Sequence, residues 1–186
     1  MNLEDPDAAL FGEALACEEL RPASFVTGAL DSAAAHADSV HAETFLQAIA
    51  VVEDGRSDDP DEHSPSSLAL NRIESKLDLL TMLVGAMLQG TDRDPPRVFK
   101  WSARGARLAN AGPLPPGTPG CLRIQPSDWL PQTLRLPAVV LANAGDADET
   151  QLWLRFDNLS PGLETALERH LFRVHRREIA ERRRPR

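Results

Sequence analysis

The sequence has little aromatic character. None of its 186 residues is tyrosine, and phenylalanine and tryptophan together make up 5% of the chain. Surfaces that bind single-stranded nucleic acids interleave basic residues with aromatic rings on which bases stack, and this pattern is missing. The sequence also has no apolar run as long as the about 20 residues that a membrane-spanning helix needs. Its first residues lack the basic region and the following apolar segment of a signal peptide. We therefore expect no nucleic-acid polymer as partner, no membrane span and a cytoplasmic location.

Reactive residues are equally sparse. Cys17 and Cys121 are far apart and have no CxxC partner, which favours buried reduced thiols over a disulfide or a metal site. The acidic run at 58–62 lacks the alternating carboxylates of a calcium loop and contains Pro60. No histidine has metal-ligand spacing, no nucleophile turn or phosphate loop is present, and His170 is predicted to lie on a helix surface. We predict a protein that is not an enzyme and holds no metal.

Charge is distributed unevenly along a chain whose net charge is −8. Arg21 and Arg56 are the only basic residues among the first 64. The basic residues near the C-terminus are Arg169, Arg173, Arg176, Arg177, Arg182, Arg183, Arg184 and Arg186. Cations at the end of a helix complement its dipole, which is the simplest interpretation of this tail. Binding of DNA or RNA is the weaker alternative, and in an oligomer the tail could meet the acidic half of a neighbouring copy.

The clearest pattern is an apolar ladder whose spacings alternate between three and four residues. Its members, the predicted oligomerisation residues, are Leu70, Ile73, Leu77, Leu80, Val84 and Met87. The spacing averages the heptad period, so it predicts a helix that winds around other helices with a left-handed twist. Further apolar residues broaden the stripe towards its end, which favours a four-stranded bundle, and hence a homotetramer, over a two-stranded coil. The alternative is an amphipathic helix that covers its own domain.

The predicted elements follow an unusual order, because two long helices separate one extended segment from the other strands. We predict an N-terminal helix at 1–18, an extended segment at 19–30, a helical insertion at 31–91 with the heptad helix at 66–90, strands at 92–158, and a closing helix with a basic tail at 159–186. Short strands separated by turn residues indicate a small antiparallel β-barrel. The expected fold class is α+β, a barrel interrupted by a two-helix insertion that forms a multi-stranded coiled coil.

Two short segments resemble the motifs of PilZ domains. Residues 100–105 (KWSARG) are similar to the family's Asp/Asn-x-Ser-x-x-Gly motif, with Ser102 and Gly105 at its Ser and Gly positions. Residues 19–26 (ELRPASFV) resemble the upstream segment where the family has Arg-x-x-x-Arg, with Arg21 at the first arginine. A heptad-bearing insertion between the two motifs is similar to the atypical, tetrameric PilZ branch of xanthomonads.

The resemblance covers about residues 17–182 and implies a barrel with a site for cyclic di-GMP, whose phosphates and guanines suit guanidinium groups. The candidate ligand-binding residues that carry over are Arg21, Ser102 and Gly105. The sequence departs from the pattern, because Phe25 stands at the second arginine position and Lys100 replaces Asp/Asn. Loss of one charge-assisted contact costs about 2–5 kcal/mol, more than tenfold in affinity. We therefore expect weak or undetectable cyclic di-GMP binding and no other cofactor.

By resemblance, such modules influence motility, secretion or virulence. The expected function is a non-catalytic, self-associating PilZ-type module of cyclic di-GMP signalling that contacts an unidentified signalling or motility protein. The alternative is a competent cyclic di-GMP receptor in which Arg104, Arg107 or the C-terminal arginines substitute for the missing clamp. A purely structural interpretation makes Arg21 a surface charge, and Ser102 and Gly105 strand-turn residues.

Overall fold

The computed structural model describes residues 5–29, 31–54, 70, 73, 76–77, 80, 94–127, 130, 132–145 and 150–183. Within these residues the elements are α1 (Pro6–Phe11), β1 (Cys17–Thr27), α2 (Ser32–Asp54), β2 (Pro96–Trp101), β3 (Gly105–Asn110), β4 (Pro119–Ile124), β5 (Leu134–Gly145), β6 (Thr150–Phe156) and α3 (Pro161–Arg182). The backbone is also helical at Leu70, Ile73, Lys76, Leu77 and Leu80. Among the described helices, none combines the length and the apolarity that crossing a membrane requires.

The six strands form a closed barrel in the order β1-β2-β3-β6-β5-β4, and all neighbouring strands are antiparallel. β1 closes the barrel, because Cys17–Pro22 pair with β2 whereas Ala23–Thr27 pair with β4. Side chains alternate between inside and outside, as strand geometry requires. In β6, Leu152 and Leu154 are fully buried whereas Arg155 is exposed. The prediction of a small antiparallel barrel in an α+β fold is confirmed.

α3 packs against the barrel core through one apolar stripe. Ser160 caps its start, since the hydroxyl oxygen accepts a hydrogen bond from the Leu163 N–H (3.0 Å), and Pro161 occupies the first turn. The stripe residues in the core are Leu163, Leu167, Leu171 and Val174. Each such side chain contributes about 1.5–3 kcal/mol when fully buried. α3 lies within the segment at 159–186 where the sequence predicts the closing helix.

α2 lies against α3 and β5 and buries Phe45 and Ile49 in the same core. The two helices approach closely at Gly162, where an added Cβ would overlap the Glu43 carboxylate. That carboxylate accepts a hydrogen bond from the Ser160 hydroxyl (2.9 Å), so it ties α2 to the start of α3. The barrel and the two helices therefore share one core.

α1 is shorter than the sequence predicts. It ends at Phe11 and is capped by Gly12, whereas the prediction extends it to about Cys17 within a helical segment at 1–18. Cys17 instead begins β1 and pairs with Trp101. The prediction is wrong at this end because pairing with a strand far away in sequence outweighs the helix propensity of the residues after Gly12.

His170 is a second correction, since it is 1% exposed rather than on the helix surface. Its ring lies edge-on to the Trp101 indole, with 5.7 Å between the ring centroids. Burial is the main cause that lowers the pKa of His170 to about 3, followed by the nearby positive charges of Arg173, Arg177 and Arg21. The imidazole is therefore neutral at neutral pH and acts as part of the core.

Both cysteines are free and buried, as the sequence predicts. Burial is the largest cause that raises the pKa of the Cys17 thiol and of the Cys121 thiol to about 11. Both groups are therefore protonated thiols at neutral pH, and their reactivity is low.

Four of the six ladder residues fall within the described part of the chain. Their exposed fractions are 65% for Leu70, 55% for Ile73, 58% for Leu77 and 56% for Leu80. Val84 and Met87 lie outside the described residues, as does the acidic run at 58–62. In the single chain, this part of the stripe thus faces solvent.

Candidate functional site

The Ser-x-x-Gly motif forms the turn between β2 and β3. The Ser102 N–H donates to the Gly105 carbonyl oxygen (2.9 Å), which closes the turn. The Ser102 hydroxyl donates to the Leu10 carbonyl oxygen (2.8 Å) and accepts from the Arg104 N–H (3.0 Å). Ser102 is 0% exposed, so its hydroxyl is occupied by contacts within the chain.

Gly105 is required by close packing. A Cβ at this position would overlap the Leu154 carbonyl oxygen of β6 and would lie 2.9 Å from Cδ2 of Leu10. The Leu10 side chain of α1 therefore packs closely against the turn at Gly105.

Arg21 belongs to a buried network instead of a surface clamp. The residue is 9% exposed, and its Nε donates to Glu19 Oε1 (2.7 Å), while Glu19 Oε2 accepts from Trp101 Nε1 (3.0 Å). In the register of β1 with β2, Arg21 lies opposite Arg97, and Cys17 lies opposite Trp101 beside the turn. Arg21 is thus four residues away from the turn end of the strand pair. Four residues of strand span about 13 Å. Because Arg21 and Ser102 are both buried, the structure does not bring them together on one exposed surface.

The side chains that surround the turn come from α1 and its end, and the sequence analysis missed them. The Asp7 carboxylate accepts from Trp153 Nε1 (2.6 Å) and from a terminal nitrogen of Arg107 (2.8 Å). Lys100 Nζ lies 4.4 Å from the centre of the Phe11 ring, which is a cation–π contact. The sequence pattern of these residues indicates only the start of a short amphipathic helix. It does not indicate which part of the chain that helix packs against.

Carboxylates of α1 and of the residues just after it pair with two arginines. These are two of the arginines that would replace the missing clamp if the protein were a competent cyclic di-GMP receptor. Arg107 forms an ion pair with Asp7, and Arg104 forms one with Glu13 (3.3 Å). The second pair is exposed on both sides, so its contribution is small. A dinucleotide that used Arg107 would first have to displace the Asp7 carboxylate.

A groove of about 510 Å³ lies on the outer surface of the barrel beside α1. We call it the basic groove, because the described residues that line it include Arg97, Lys100 and Arg107 but only one carboxylate, that of Glu18. Trp153 also lines it. Arg107 and Trp153 line the groove and also contact Asp7 of α1. The groove therefore lies directly beside the surface that α1 covers.

Metal ligands do not cluster in the part of the chain that the structure describes. No group of three or more histidine, cysteine, aspartate or glutamate side chains is close enough there to hold a metal ion. The candidate site therefore consists of the turn, the helix α1 that covers it, and the basic groove.

These features define a PilZ-like domain: a closed six-stranded antiparallel barrel, a C-terminal helix in its core, and a Ser-x-x-Gly turn between the second and third strands. A family profile described as "Atypical PilZ domain, cyclic di-GMP receptor" matches residues 46–184. The chain belongs to this atypical PilZ family.

One solved structure is similar over nearly the whole chain. It is a pathogenic protein from Xanthomonas campestris, described as a new tetrameric PilZ domain self-assembled via an unusual helical bundle. The two sequences are 44% identical, the match covers 94% of this chain and 95% of that chain, and the TM-score is 0.74.

Other solved structures match less of the chain. YcgR from Escherichia coli in complex with cyclic di-GMP is 24% identical over 48% of this chain and 40% of that chain, with a TM-score of 0.39. The Bacillus subtilis inhibitor of motility (MotI/DgrA) is 20% identical over 45% and 43%, with a TM-score of 0.37. A comparison with curated proteins found no match.

Proposed function

We propose that the protein is a non-catalytic, self-associating PilZ-type module of cyclic di-GMP signalling, that it binds cyclic di-GMP weakly or not at all, and that it acts through protein contacts. One observation carries the binding part of this proposal. The motif residues Ser102 and Gly105 are buried and contact α1, and Arg21 is buried in an ion pair with Glu19.

The cost of opening this arrangement explains why binding would be weak. A ligand that took the Ser102 hydroxyl would leave the Leu10 carbonyl oxygen without its partner, and one that took Arg21 would leave the buried Glu19 carboxylate with less compensation. Each such buried group costs about 1–3 kcal/mol when its hydrogen bond is lost. This penalty adds to the missing second arginine of the family motif.

Self-association is supported by the exposed ladder. Leu70, Ile73, Leu77 and Leu80 each leave more than half of their surface exposed in the single chain. A row of such side chains at heptad spacing is stabilised when other copies cover it. The similar Xanthomonas protein is described as a tetramer assembled by a helical bundle. We accordingly propose a homotetramer built by residues 66–90 within the insertion at 31–91.

The cellular setting belongs to the same proposal. Two free, buried thiols suit a reducing compartment, and we propose a cytoplasmic module. Its partner would be a signalling or motility protein, and four copies on one scaffold would give avidity towards a multivalent partner.

Titration calorimetry with cyclic di-GMP on the full chain tests the binding part. We expect no measurable heat, or a dissociation constant well above 1 µM, because the motif residues are engaged. A submicromolar dissociation constant would overturn the proposal.

The second candidate function, a competent receptor with substitute arginines, is favoured by the position of Lys100 and Arg107 in the basic groove. It predicts that Arg107→Ala abolishes binding while Arg21→Ala leaves it unchanged. A receptor of the ordinary family kind would instead lose binding with Arg21→Ala. The same calorimetric titration on both variants separates the two.

A further inference from the structure

α1 shows which chemistry the outer surface of the barrel accepts. Asp7 is the carboxylate of α1 that contacts the barrel surface, and it accepts hydrogen bonds from Arg107 and Trp153. Three and four residues later, Leu10 and Phe11 supply apolar contacts on the same side of the helix. The surface thus binds an acidic, amphipathic helix in its own chain.

The basic groove continues this chemistry beyond α1. Lys100 and Arg107 form its edge with α1, and Arg97 lies farther along β2. Arg97 donates through a terminal nitrogen to the Ala109 carbonyl oxygen (2.9 Å), while its buried Nε has no hydrogen-bond partner among the residues that the structure describes. Arg107 is paired with Asp7, and Glu18 is the only carboxylate among the described residues that line the groove, so Arg97 and Lys100 leave it with a net positive charge, although the whole chain is acidic.

An apolar pair borders the same groove. Leu20 of β1 and Val98 of β2 are paired across the two strands, and they are 67% and 58% exposed. Val98 also lines the groove. A ligand that complements this surface therefore needs aliphatic side chains next to carboxylates, which an acidic segment of a protein provides and a small inorganic anion does not.

We propose that the outer surface of β1, β2, β3 and β6 beside α1 is a docking site for an acidic, amphipathic helical segment of a protein partner, and that α1 is its intramolecular competitor. A partner segment longer than α1 makes the contacts of Asp7 and Leu10 and also neutralises the basic groove. It therefore gains contacts that α1 cannot make.

The competition is feasible because α1 is weak on its own. A helix of six residues is far below the length at which helices are stable in water, so α1 depends on its contacts with the barrel. Elements of this kind open locally at much lower free energy than the core. The advantage of α1 over a partner segment is that it is tethered to the barrel. A short tether gives it an effective concentration in the millimolar range.

This inference rests on the proposed function in one respect, that the chain acts through protein contacts. It does not depend on tetramer formation. Its test is chosen so that a nucleotide response and a peptide response are read separately on the same signal.

The probe is a capped synthetic peptide with the sequence of residues 5–13 (DPDAALFGE), titrated into the full chain. A second probe carries Glu-Leu-Glu at each end of that sequence. The signal is the fluorine resonance of Trp153 in protein labelled with 5-fluorotryptophan, assigned with Trp153→Phe. The chain is compared with a variant, Asp7→Asn with Leu10→Ala, in which α1 is loosened, and circular dichroism checks that this variant remains folded.

We expect the short peptide to shift the Trp153 resonance of the loosened variant saturably, and to need at least tenfold higher concentration in the parent chain. The extended probe should bind at least tenfold tighter than the short one. Val98→Asp, which places a carboxylate in the groove at an exposed position, should remove that gain without affecting the short peptide.

Three results would overturn the inference. One is no saturable shift in either protein up to millimolar peptide, and another is equal binding of a control peptide with Lys at the Asp7 position. The third is an extended probe that gains nothing over the short one. If cyclic di-GMP shifts the resonance at submicromolar concentration, the proposed function fails instead, whatever the peptides do.

Discussion

Ser102 and Arg21 show how motif residues can become part of an interior. Ser102 hydrogen-bonds to α1, and Arg21 bonds to Glu19, which in turn accepts from Trp101. A buried polar group without a partner is costly, so these residues are held in place by the groups that satisfy them. At the residue scale, therefore, the same side chains that would bind a ligand stabilise the fold.

Gly105→Ala should lower the free energy of unfolding by about 1–3 kcal/mol, because its Cβ would overlap a backbone oxygen that cannot move aside easily. Gly28→Ala is the matched control, since a Cβ there meets nothing within 4 Å. Urea unfolding at equal protein concentration measures both. Equal stability of the two variants would show that the turn does not pack as described.

His170 should make the fold sensitive to acid. Its pKa is lowered from 6.5 to about 3 in the folded chain, so below pH 6.5 the unfolded state binds a proton that the folded state does not. Stability is therefore lost as the pH falls below about 6.5, by at most about 1.4 kcal/mol per pH unit.

The variant His170→Phe should remove this part of the acid sensitivity, and His36→Gln, at an exposed site, should not. Urea unfolding between pH 7 and pH 4.5 measures the difference in slope. If the slope of His170→Phe equals that of the parent chain, the buried imidazole does not carry the effect.

At the scale of elements, α1 matters most for the site. Its contacts join the N-terminal segment to β2, β3 and β6 through Asp7, Leu10 and Phe11. Its length gives it little stability of its own. The contact of α1 with the turn therefore depends on a handful of side chains.

Asp7→Ala should loosen α1 without unfolding the barrel. Loss of the hydrogen bonds from Arg107 and Trp153 should cost about 1–3 kcal/mol locally, which corresponds to roughly 5- to 150-fold faster amide exchange. The Gly12 N–H, which donates to the Ala8 carbonyl oxygen, reports this opening by hydrogen–deuterium exchange.

Glu13→Ala is the control for that experiment. Glu13 pairs with Arg104 at a site where both side chains are largely exposed, so its loss should change the exchange rate little. Similar acceleration in both variants would mean that overall charge, and not the Asp7 contacts, holds α1 in place.

At the scale of the whole molecule, we propose two surfaces among the described residues for contacts with other chains. One is the exposed ladder of Leu70, Ile73, Leu77 and Leu80, and the other is the basic groove beside α1. The first is apolar and regular, which suits copies of the same chain. The second combines positive charge with aliphatic residues, which suits an acidic partner.

Leu77→Asp with Leu80→Asp should reduce the assembly to smaller species, because carboxylates that face copies of themselves repel each other and resist desolvation. Light scattering measures the mass. Val98→Asp is the matched control, since Val98 is as exposed as Leu77 but lies on the barrel. If the double variant keeps the parent mass, the assignment of the ladder to self-association is wrong.

Local patterns carried much of the fold. Apolar residues alternate at Leu152 and Leu154 as in a strand, and Ser160 with Pro161 is a typical helix start, because these signals depend on neighbours within a few residues. His170 illustrates a missed signal: it lies three residues after Leu167 and four before Val174, on the buried stripe, although its polar side chain suggests exposure.

The sequence by itself determined the antiparallel barrel and the closing helix, since both follow from local spacing and residue type, and two short motifs carried the resemblance to the PilZ family. Only the tertiary structure decided that α1 stops at Phe11, that Arg21 is buried beside Glu19 and that Ser102 is covered. Each of these outcomes depends on pairing between residues far apart in the chain, such as Cys17 with Trp101 and Asp7 with Trp153. Such pairing leaves no periodic trace in the sequence, because its free energy comes from burial and hydrogen bonds that exist only once the barrel has closed.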